Sequence, residues 1–426
     1  MKITILTFGS TGDVVPYVAL ALGLEKRGFN VVLAAPSNFE DYIKNTGLTY
    51  HPIYGNIQEI LDSEQGKKLI ASGNAKAFAK EMSEITYKNR YEMQRDTLAA
   101  CEGADLIIGG TLMGFNSAII SAKLKIPLIN AYVNPALYST KEFPHFMVSA
   151  KNLYFGFLNR LSYTIFLKAY SASVDKEVTE WCTALGLNTS AKSIVKKIIK
   201  LNVPVLNGYS PSILPTPADW PDHVITTGVW KKDNSNEIPN EPSAELQAWI
   251  KNGTPPVYFG FGSMPVLDPA AMWKMVAEIC EELDVRAIIN AGWSDTKGIQ
   301  SKDNVFVIQN TDLDWLFPQC SCIVHHGGVG TTHLSLEAGI PTLICSIFAD
   351  NPFWGERITK LGVGKHIRFK ELTKEKIIKA LKELQNETTR KKVADLGKRL
   401  KAENGLRIAL DFIEQKIHTA PVLNLD

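Results

Sequence analysis

The sequence predicts an α/β fold made of two doubly wound domains that face each other across a cleft. Three observations lead to this prediction. The chain has 426 residues, more than one ordinary hydrophobic core accommodates. A short apolar run, a glycine turn and a helical pattern open the chain at residue 2, and the same order restarts near residue 257. Residues 231–243, between these two halves, are polar and contain prolines, as linkers do.

In the first half, residues 2–7 are typical of a short buried strand, and the turn "FGSTGD" precedes a helix predicted at 15–26. The apolar residues 30–36 form the next strand and complete a strand–helix–strand unit. Two further runs have the continuous apolar character of strands that a parallel sheet buries on both faces: 104–110 and 126–133.

The second half repeats this order. Residues 256–264 predict a strand that enters a glycine turn, and residues 270–283 predict a helix. Further strands separated by helices are predicted at 286–292, 304–310, 320–326 and 341–347. We therefore divide the chain into a Rossmann-like N-terminal domain at 1–230, a linker at 231–245, a Rossmann-like C-terminal domain at 246–405, and a helix and tail of unknown docking at 406–426.

Composition narrows the class of protein. The formal net charge of +2 gives no reason to expect a nucleic-acid partner. No apolar run approaches the ~18 residues of a transmembrane segment, and the first run is too short for a secretory signal. Six scattered cysteines indicate reduced thiols in a cytoplasmic protein. The basic residues 191–200 indicate a solvated helix face rather than a membrane patch, and a peripheral membrane contact remains open.

A polar stretch follows the predicted strand at 320–326, where two histidines precede a glycine-rich turn and a helix. Glycines let the backbone approach a ligand, and the free N–H groups and dipole at a helix start attract an anion. Adjacent residues of a strand point to opposite faces, so only one of His325 and His326 should face such a ligand. Thr331 and Thr332 can cap the helix or donate their hydroxyls to phosphate.

Two other interpretations of this stretch remain. One is a capped strand–helix turn with core histidines, and the other is a zinc site that includes Cys320 and Cys322, although the spacing fits no standard zinc pattern. Asp350 and Asn351 follow the next predicted strand and so fall at the same edge of the sheet. A carboxylate beside an amide can bind two sugar hydroxyls, or the pair can form a polar turn.

Four segments resemble, in the right order, the motifs of sterol-type and glycopeptide-type glycosyltransferases: "FGSTGDVVPYVALALGLEKRGFNVVLAAP", "PPVYFGFGSM", "NVFVIQNTDLDWLFP", and "HHGGVGTT" followed by "AGIPTLICSIFADNPFWGERI". The resemblance covers most of the chain and is weakest at residues 50–202. It implies a UDP-glycosyltransferase of the family 28 type with the GT-B fold. It also implies a hexosyltransferase that holds a nucleotide-sugar donor in its C-terminal domain and inverts the sugar without a metal or cofactor.

The resemblance assigns donor contacts by position. His326 corresponds to the histidine that meets the diphosphate, and Ser263 corresponds to a second phosphate contact. Asp350 and Asn351 take the positions that bind sugar hydroxyls, with Asn in place of the more usual Gln. The phosphate turn corresponds to five consecutive residues: Gly328, Val329, Gly330, Thr331 and Thr332.

Two departures concern the nucleotide base. The tryptophan that stacks on uracil in the plant enzymes corresponds to Ile308, and their ribose-binding glutamate corresponds to Leu334. We expect UDP-glucose as the donor and keep thymidine diphosphate sugars as the alternative.

Asp13 follows the first predicted strand and stands near the start of a helix. It matches the aspartate that the resembling family is proposed to use as the base for the acceptor hydroxyl. The plant branch uses a histidine in this region, and residues 8–18 contain none. The structural alternative is an acid that only stabilises the helix N-terminus.

The acceptor is expected to be an apolar small molecule with a hydroxyl, such as a sterol, a lipid, a flavonoid or another natural product. Residues 50–202 are rich in aromatic side chains and methionine, and most of these, including Phe155 and Phe157, are expected to belong to the core. The candidates for contacting the acceptor are Phe115, Tyr132 and Phe146.

Two further functions compete with sugar transfer. In an NAD-dependent oxidoreductase the first turn would carry the fingerprint G-x-G-x-x-G, and "GSTGD" has only Gly9 and Gly12. In a nucleotide-sugar-binding module that has lost catalysis, the simultaneous presence of Asp13 and His326 would be unexpected.

Overall fold

A computed structural model describes residues 1–56, 59, 63–64, 66, 81, 84, 87–153, 155–232, 242–261, 269–290, 304–309 and 311–425. The chain divides into two compact units. The first comprises Met1–Ile57, Ala79–Asp233 and Asn404–Asp426, and the second is built mainly from Asn234–Glu403. Ser263 and most of the predicted linker lie outside the described residues.

The first unit contains a seven-stranded sheet in which every described pair of neighbours is parallel. Its strands are β1 Lys2–Leu6, β2 Asn30–Pro36, β3 Thr49–Ile53, β4 Leu106–Gly109, β5 Leu128–Tyr132, β6 Val205–Asn207 and β7 Val224–Thr226. They lie in the order β3-β2-β1-β4-β5-β6-β7. The order therefore reverses between β1 and β4, and sheets of this kind bind ligands beyond the carboxyl ends at such a point.

Helices connect these strands: α1 Thr11–Lys26, α2 Glu40–Lys44, α3 Arg90–Cys101, α4 Gly114–Leu124, α5 Gly156–Ala184 and α6 Ala191–Lys200. The helix α1 begins four residues earlier than predicted, directly after the glycine turn that follows β1. Its residues Val14, Tyr17, Val18 and Leu24 are buried, so the helix packs its apolar face on the sheet and fixes the geometry of that turn.

The second unit contains a six-stranded parallel sheet. Its strands are β8 Val257–Gly260, β9 Ala287–Asn290, β10 Val305–Ile308, β11 Cys322–His325, β12 Thr342–Ser346 and β13 Gly364–Arg368. They lie in the order β10-β9-β8-β11-β12-β13, which reverses between β8 and β11, where His325 pairs with Gly260. The predicted class of two doubly wound parallel sheets is confirmed.

The helices of the second unit are α7 Ala244–Lys251, α8 Pro269–Leu283, α9 Leu313–Leu316, α10 Val329–Glu337, α11 Asn351–Leu361, α12 Lys374–Leu384 and α13 Glu387–Ala402. The two that matter for the site start directly beyond strands at the sheet's carboxyl edge. The helix α10 follows β11, and α11 follows β12, so their N-termini lie on neighbouring strand ends.

The C-terminal segment returns to the first unit as α14 Gly405–Lys416 and a short tail. Arg27 forms ion pairs of 2.6 Å with both Asp411 and Glu414 of this helix. Leu423 and Leu425 are buried in the core of the first unit. The docking of this segment, which could not be predicted, is therefore an integral part of the first unit's packing.

All six cysteines are buried and unpaired. In the part of the chain that the structure describes, no helix combines the length and the hydrophobicity that crossing a bilayer requires.

Candidate functional site

The two histidines at the end of β11 have different surroundings. His325 is fully buried, and its Nδ1 accepts a hydrogen bond of 3.0 Å from the Gly327 N–H. Burial, followed by the neighbouring His326, holds the pKa of His325 well below its ordinary value, so its ring is neutral. His326 is only partly buried, and its ring stands at 85° to that of His325. His326 is thus the histidine that a ligand can reach.

The His326 imidazole packs tightly against the turn that follows it. A Cβ atom on Gly328 would lie only 2.6 Å from Nε2 of His326, so any larger residue at this position would displace the imidazole. Nδ1 of His326 is buried and has no hydrogen-bond partner among the described residues. Burial lowers the pKa of His326 to about 4, so at neutral pH the ring is uncharged and offers one N–H donor.

Gly327 joins this turn to the next strand and helix. Its φ of +97° belongs to the region that favours glycine. A Cβ atom there would lie 2.6 Å from Cγ2 of Ile344 and 3.2 Å from Cβ of Asn351. The turn after β11 therefore lies directly against β12 and the first residue of α11, which brings Asn351 beside the predicted phosphate turn.

The helix α10 starts without a side-chain cap, because its N-cap residue is Gly328. The backbone N–H groups of its first three residues have no acceptor among the described residues: Val329, Gly330 and Thr331. Thr332 is fully buried, and its hydroxyl donates to the Gly328 carbonyl at 2.9 Å. The three amides and the partly exposed Thr331 are therefore available to an anion, whereas the Thr332 hydroxyl already has an acceptor.

Asp350 and Asn351 lie at the start of α11, at the carboxyl edge where they were predicted. One carboxylate oxygen of Asp350 accepts from the indole N–H of Trp354 at 2.9 Å, and the other accepts from the Asn351 amide at 3.3 Å. The residue before them, Ala349, has a φ of +55°, which is uncommon for a residue other than glycine. The Asp350 carboxylate is thus held in one orientation by a strained and hydrogen-bonded segment.

Two residues of this site were not found from the sequence. His333 is buried, and its Nδ1 lies 2.7 Å from the carbonyl oxygen of Val329; a carbonyl only accepts, so Nδ1 carries the proton. The His333 ring meets the Trp354 ring edge-on, with centroids 5.4 Å apart. His333 and Trp354 thereby connect the start of α10 to Asp350. They lie inside helical patterns that read as ordinary core, so no motif indicates them.

Asp13 lies in the first turn of α1, at the carboxyl edge of the other sheet. Its Oδ2 accepts hydrogen bonds from the Ser10 N–H at 2.9 Å and from the Ser10 hydroxyl at 3.2 Å. A Cβ atom on Gly9, whose φ is +137°, would overlap this carboxylate. Burial raises the pKa of Asp13, and the two Ser10 bonds oppose that rise. Among the described residues none donates to Oδ1, so Asp13 caps its helix with one oxygen and keeps the other available.

Two of the three predicted acceptor residues, Phe115 and Phe146, belong to one aromatic cluster in the first unit. His145 stacks on Phe166 with centroids 3.8 Å apart and on Phe146 at 4.7 Å. Tyr170 continues the stack from Phe166 and contacts Phe115, each at 5.6 Å. Burial lowers the pKa of His145 to about 3, so the cluster contains no charge at neutral pH.

Tyr132, the third predicted acceptor residue, lies in β5 next to this cluster. It is buried, and its hydroxyl oxygen lies 3.5 Å from the position that a Cβ atom on Gly114 would take. Gly114 directly precedes Phe115. Tyr132 and Phe115 therefore belong to one hydrophobic cluster, and Phe146 is connected to it through the ring contacts of His145.

Ile308 and Leu334, which correspond to the uracil-stacking and ribose-binding residues of the plant enzymes, both pack among hydrophobic side chains. Ile308 is buried in β10, and Leu334 of α10 packs against the same hydrophobic cluster. Neither side chain can donate or accept a hydrogen bond, so these positions provide no polar contact to a ribose.

The zinc alternative has no support in the described part of the chain. Cys320 and Cys322 are buried, and burial raises the pKa of both thiols, that of Cys322 to about 12. Across the described residues, no three His, Cys, Asp or Glu side chains form a cluster able to hold a metal ion.

Comparison with known families gives one match in each half of the chain. Residues 3–131 match the glycosyltransferase family 28 N-terminal domain, and residues 274–406 match the erythromycin biosynthesis protein CIII-like, C-terminal domain. The chain is 33% identical over 442 residues to the sterol 3-beta-glucosyltransferase of Leptosphaeria maculans and 32% identical over 439 residues to that of Debaryomyces hansenii. These matches cover 99% of the chain but only 29% and 27% of the relatives, so the chain spans less than a third of their length.

Solved structures give the same fold. The glycotransferase of kitacinnamycin superposes with a TM-score of 0.72 at 16% identity and covers 98% of this chain and 99% of its own. The calicheamicin glycosyltransferase CalG4 also gives 0.72, at 14% identity and 98% coverage of both chains. The Streptomyces sp. SF2575 glycosyltransferase SsfS6, complexed with thymidine diphosphate, gives 0.62 at 17% identity, with 97% and 99% coverage.

Proposed function

Because the chain belongs to the GT-B glycosyltransferases that join a family 28 N-terminal domain to an EryCIII-like C-terminal domain, we propose that it transfers glucose from UDP-glucose to the hydroxyl of a sterol. The name of its fungal relatives points to the 3β-hydroxyl as the acceptor position. The observation that carries the proposal is the turn between β11 and α10, where three free amides, His326 and Asn351 converge at the switch point of a parallel sheet.

The donor's diphosphate lies against this turn. The amides of Val329, Gly330 and Thr331 donate to its oxygens, and the positive end of the α10 dipole faces its charge. His326 adds a charge-assisted hydrogen bond worth about 1.5–3 kcal/mol. Asp350 and Asn351 accept from and donate to the hydroxyls of the hexose, and the bonds described above keep the Asp350 carboxylate fixed before the sugar arrives.

The reaction is an inverting displacement. The acceptor oxygen attacks the anomeric carbon, the bond from that carbon to the phosphate oxygen breaks, and Asp13 takes the hydroxyl proton on Oδ1. An ordinary aspartate, with a pKa of about 3.9, is a weak base for an alcohol, so the proton moves late in the step. Burial raises the pKa of Asp13 and improves this match. The charge that develops on the departing diphosphate is stabilised by the α10 amides and His326.

The amides and the imidazole take over the electrostatic role that a divalent cation has in other transferases, so we propose that the transfer needs neither a metal nor a cofactor. The apolar acceptor binds at the aromatic cluster that contains Phe115 and Phe146, beside Tyr132, where flat rings suit the face of a fused-ring alcohol. Six unpaired cysteines favour a reducing compartment such as the cytoplasm.

A screen of donors against acceptors tests the proposal, with products detected by mass. UDP-glucose, UDP-galactose and TDP-glucose are each combined with a sterol, a flavonol and a macrolide aglycone. We expect a gain of one hexose on the sterol with UDP-glucose. TDP-glucose is included because Ile308 and Leu334 provide no polar contact to a ribose. Transfer from TDP-glucose and not from UDP-glucose would identify a thymidine diphosphate sugar as the donor. Binding of UDP without transfer to any acceptor, and without release of UDP from the donor, would indicate a module that has lost catalysis.

A further inference from the structure

The first half of α5 buries two polar side chains and exposes a stripe of apolar ones. A helix on the surface of a protein normally buries its apolar face and exposes its polar face. Here Asn159 and Ser162 are buried, whereas Phe157, Leu161 and Ile165 are 63%, 46% and 52% exposed. Their spacing of four residues places these three on one stripe about 12 Å long.

The buried polar residues hold the preceding loop in place. Asn159 donates to the Lys141 carbonyl at 2.7 Å and accepts from the Leu153 N–H at 3.1 Å. Ser162 accepts from the His145 N–H at 2.7 Å. Residues 141–153 are therefore held on the inner face of α5 by these hydrogen bonds, and the apolar stripe faces outward.

The loop extends the stripe into a larger apolar surface. Met147 and Val148 are 43% and 42% exposed, and Phe155 is 61% exposed and stacks on Phe157 with centroids 5.8 Å apart. The sequence had predicted Phe155 and Phe157 to be core, and both predictions are wrong because the helix uses its polar side chains for internal bonds. We call this surface the α5 patch: Met147, Val148, Phe155, Phe157, Leu161 and Ile165.

The segment that contains the α5 patch is basic. Residues 141–170 contain four Lys and Arg residues and one acidic residue, Glu142, so their net charge is +3. The whole chain carries +2, so the remaining residues sum to −1. Lys151, Arg160 and Lys168 are exposed within this segment, and Arg160 forms an ion pair of 2.8 Å with Asp219.

We propose that the α5 patch docks the protein on an anionic lipid bilayer. The apolar side chains enter the boundary between headgroups and acyl chains, and the surrounding lysines face the lipid phosphates, as in helices that lie in a membrane interface. The other basic helix, α6, cannot act in this way, because Ile194 and Ile198 on its apolar face are buried in the core. The docking is independent of the sugar transfer proposed above.

Flotation of the full-length protein with large vesicles tests this docking. Vesicles of phosphatidylcholine with phosphatidylserine are compared with vesicles of phosphatidylcholine alone, and neither contains a sterol, so acceptor binding cannot contribute. We expect binding to the anionic vesicles that weakens as salt is added. Replacing all three residues of the stripe with serine (Phe157→Ser, Leu161→Ser, Ile165→Ser) should lower the partition coefficient by about a hundredfold.

Matched control variants distinguish docking through the α5 patch from nonspecific adsorption to the vesicles. The exposed Ile199 and Ile408 lie outside the patch, and their replacement with serine should leave binding within about twofold of wild type. Lys151→Gln with Lys168→Gln should weaken binding to anionic vesicles about twentyfold. Lys192→Gln with Lys196→Gln, on α6, should weaken it much less.

Three outcomes would overturn the docking. The wild type could ignore both kinds of vesicle, or the serine variants in the patch could bind as the control variants do. The third outcome is a wild type that is dimeric in solution, becomes monomeric in the patch variant and does not bind vesicles, which would assign the patch to a second copy of this chain. UDP affinity should be unchanged in the patch variant, so a failure of docking and a failure of the donor site are distinguishable.

Discussion

Replacing Gly328 with alanine isolates the contribution of the His326 imidazole without changing the imidazole itself. The new Cβ atom would lie 2.6 Å from Nε2 of His326. Ordinary van der Waals contact begins at 3.4 Å, so the ring must retreat by at least 0.8 Å, the difference between these two distances. The backbone tolerates the change, because Gly328 has a φ of −59° and a ψ of 143°, which any residue adopts.

The displacement sets the size of the expected effect. A hydrogen bond to phosphate keeps its strength only between about 2.7 and 3.2 Å, so a shift of this size removes it. A charge-assisted hydrogen bond contributes about 1.5–3 kcal/mol, which corresponds to an increase of about 10–150-fold in the Kd for UDP. The loss of fold stability should be smaller, at most about 1 kcal/mol, since the substitution changes an N-cap residue that has no side chain.

Isothermal titration with UDP and calorimetric unfolding measure these two quantities. Gly12→Ala is the matched control, because Gly12 also lies in the first turn of a helix and a Cβ atom there meets nothing within 4 Å. It should leave the Kd unchanged. If Gly328→Ala acts through His326, then adding it to His326→Ala should cost little more. Wild-type affinity in Gly328→Ala, or additive losses in the double variant, would refute the assignment of His326 to the diphosphate.

Three other changes test the remaining parts of the site. Asp13→Asn should lower kcat by about 10²–10⁴-fold while UDP affinity stays constant. The base must be ionised and burial raises its pKa, so the kcat of the wild type should fall as the pH drops through a value above 3.8. A kcat that stays constant down to pH 3.8 would exclude Asp13 as the base. Trp354→Phe removes the N–H that holds Asp350 and should lower kcat/KM for the donor about tenfold, with the Kd of UDP unchanged because UDP lacks the hexose. Removal of divalent cations with a chelator should leave the rate unchanged, and a loss that magnesium restores would assign a metal to the transfer.

The strands that could be predicted are those buried on both faces. β1, β4 and β5 are mostly apolar, and such short buried runs can be recognised without tertiary information. Four strands were missed: β3, β6, β7 and β13. β3, β7 and β13 lie at the edges of their sheets, where polar residues are tolerated, and β6 and β7 have only three residues each, too few to show a pattern. β3 even contains Pro52, which an edge strand accepts because one side of it forms no ladder.

The site shows the same division. The turn after β11 could be predicted because its glycines and histidines are consecutive. The conformation that this turn requires of the backbone is therefore visible in the local sequence. The link from His333 through Trp354 to Asp350 could not be predicted, because it depends on how α10 packs against α11. The exposed stripe of α5 escaped prediction for a related reason, since burial of Asn159 is decided by the loop that it binds.

The path of the chain determines how the two units can be exchanged between homologues. The chain leaves the first unit at Asp233 and re-enters it at Asn404, and the returning segment contributes Leu423 and Leu425 to the first unit's interior. A hybrid that takes residues 234–403 from a homologue therefore needs two junctions, one after Asp233 and one before Asn404, with the native last two dozen residues retained. A single junction would pair the first unit with a mismatched C-terminal segment and leave apolar surface uncovered, so such hybrids should aggregate whatever their specificity.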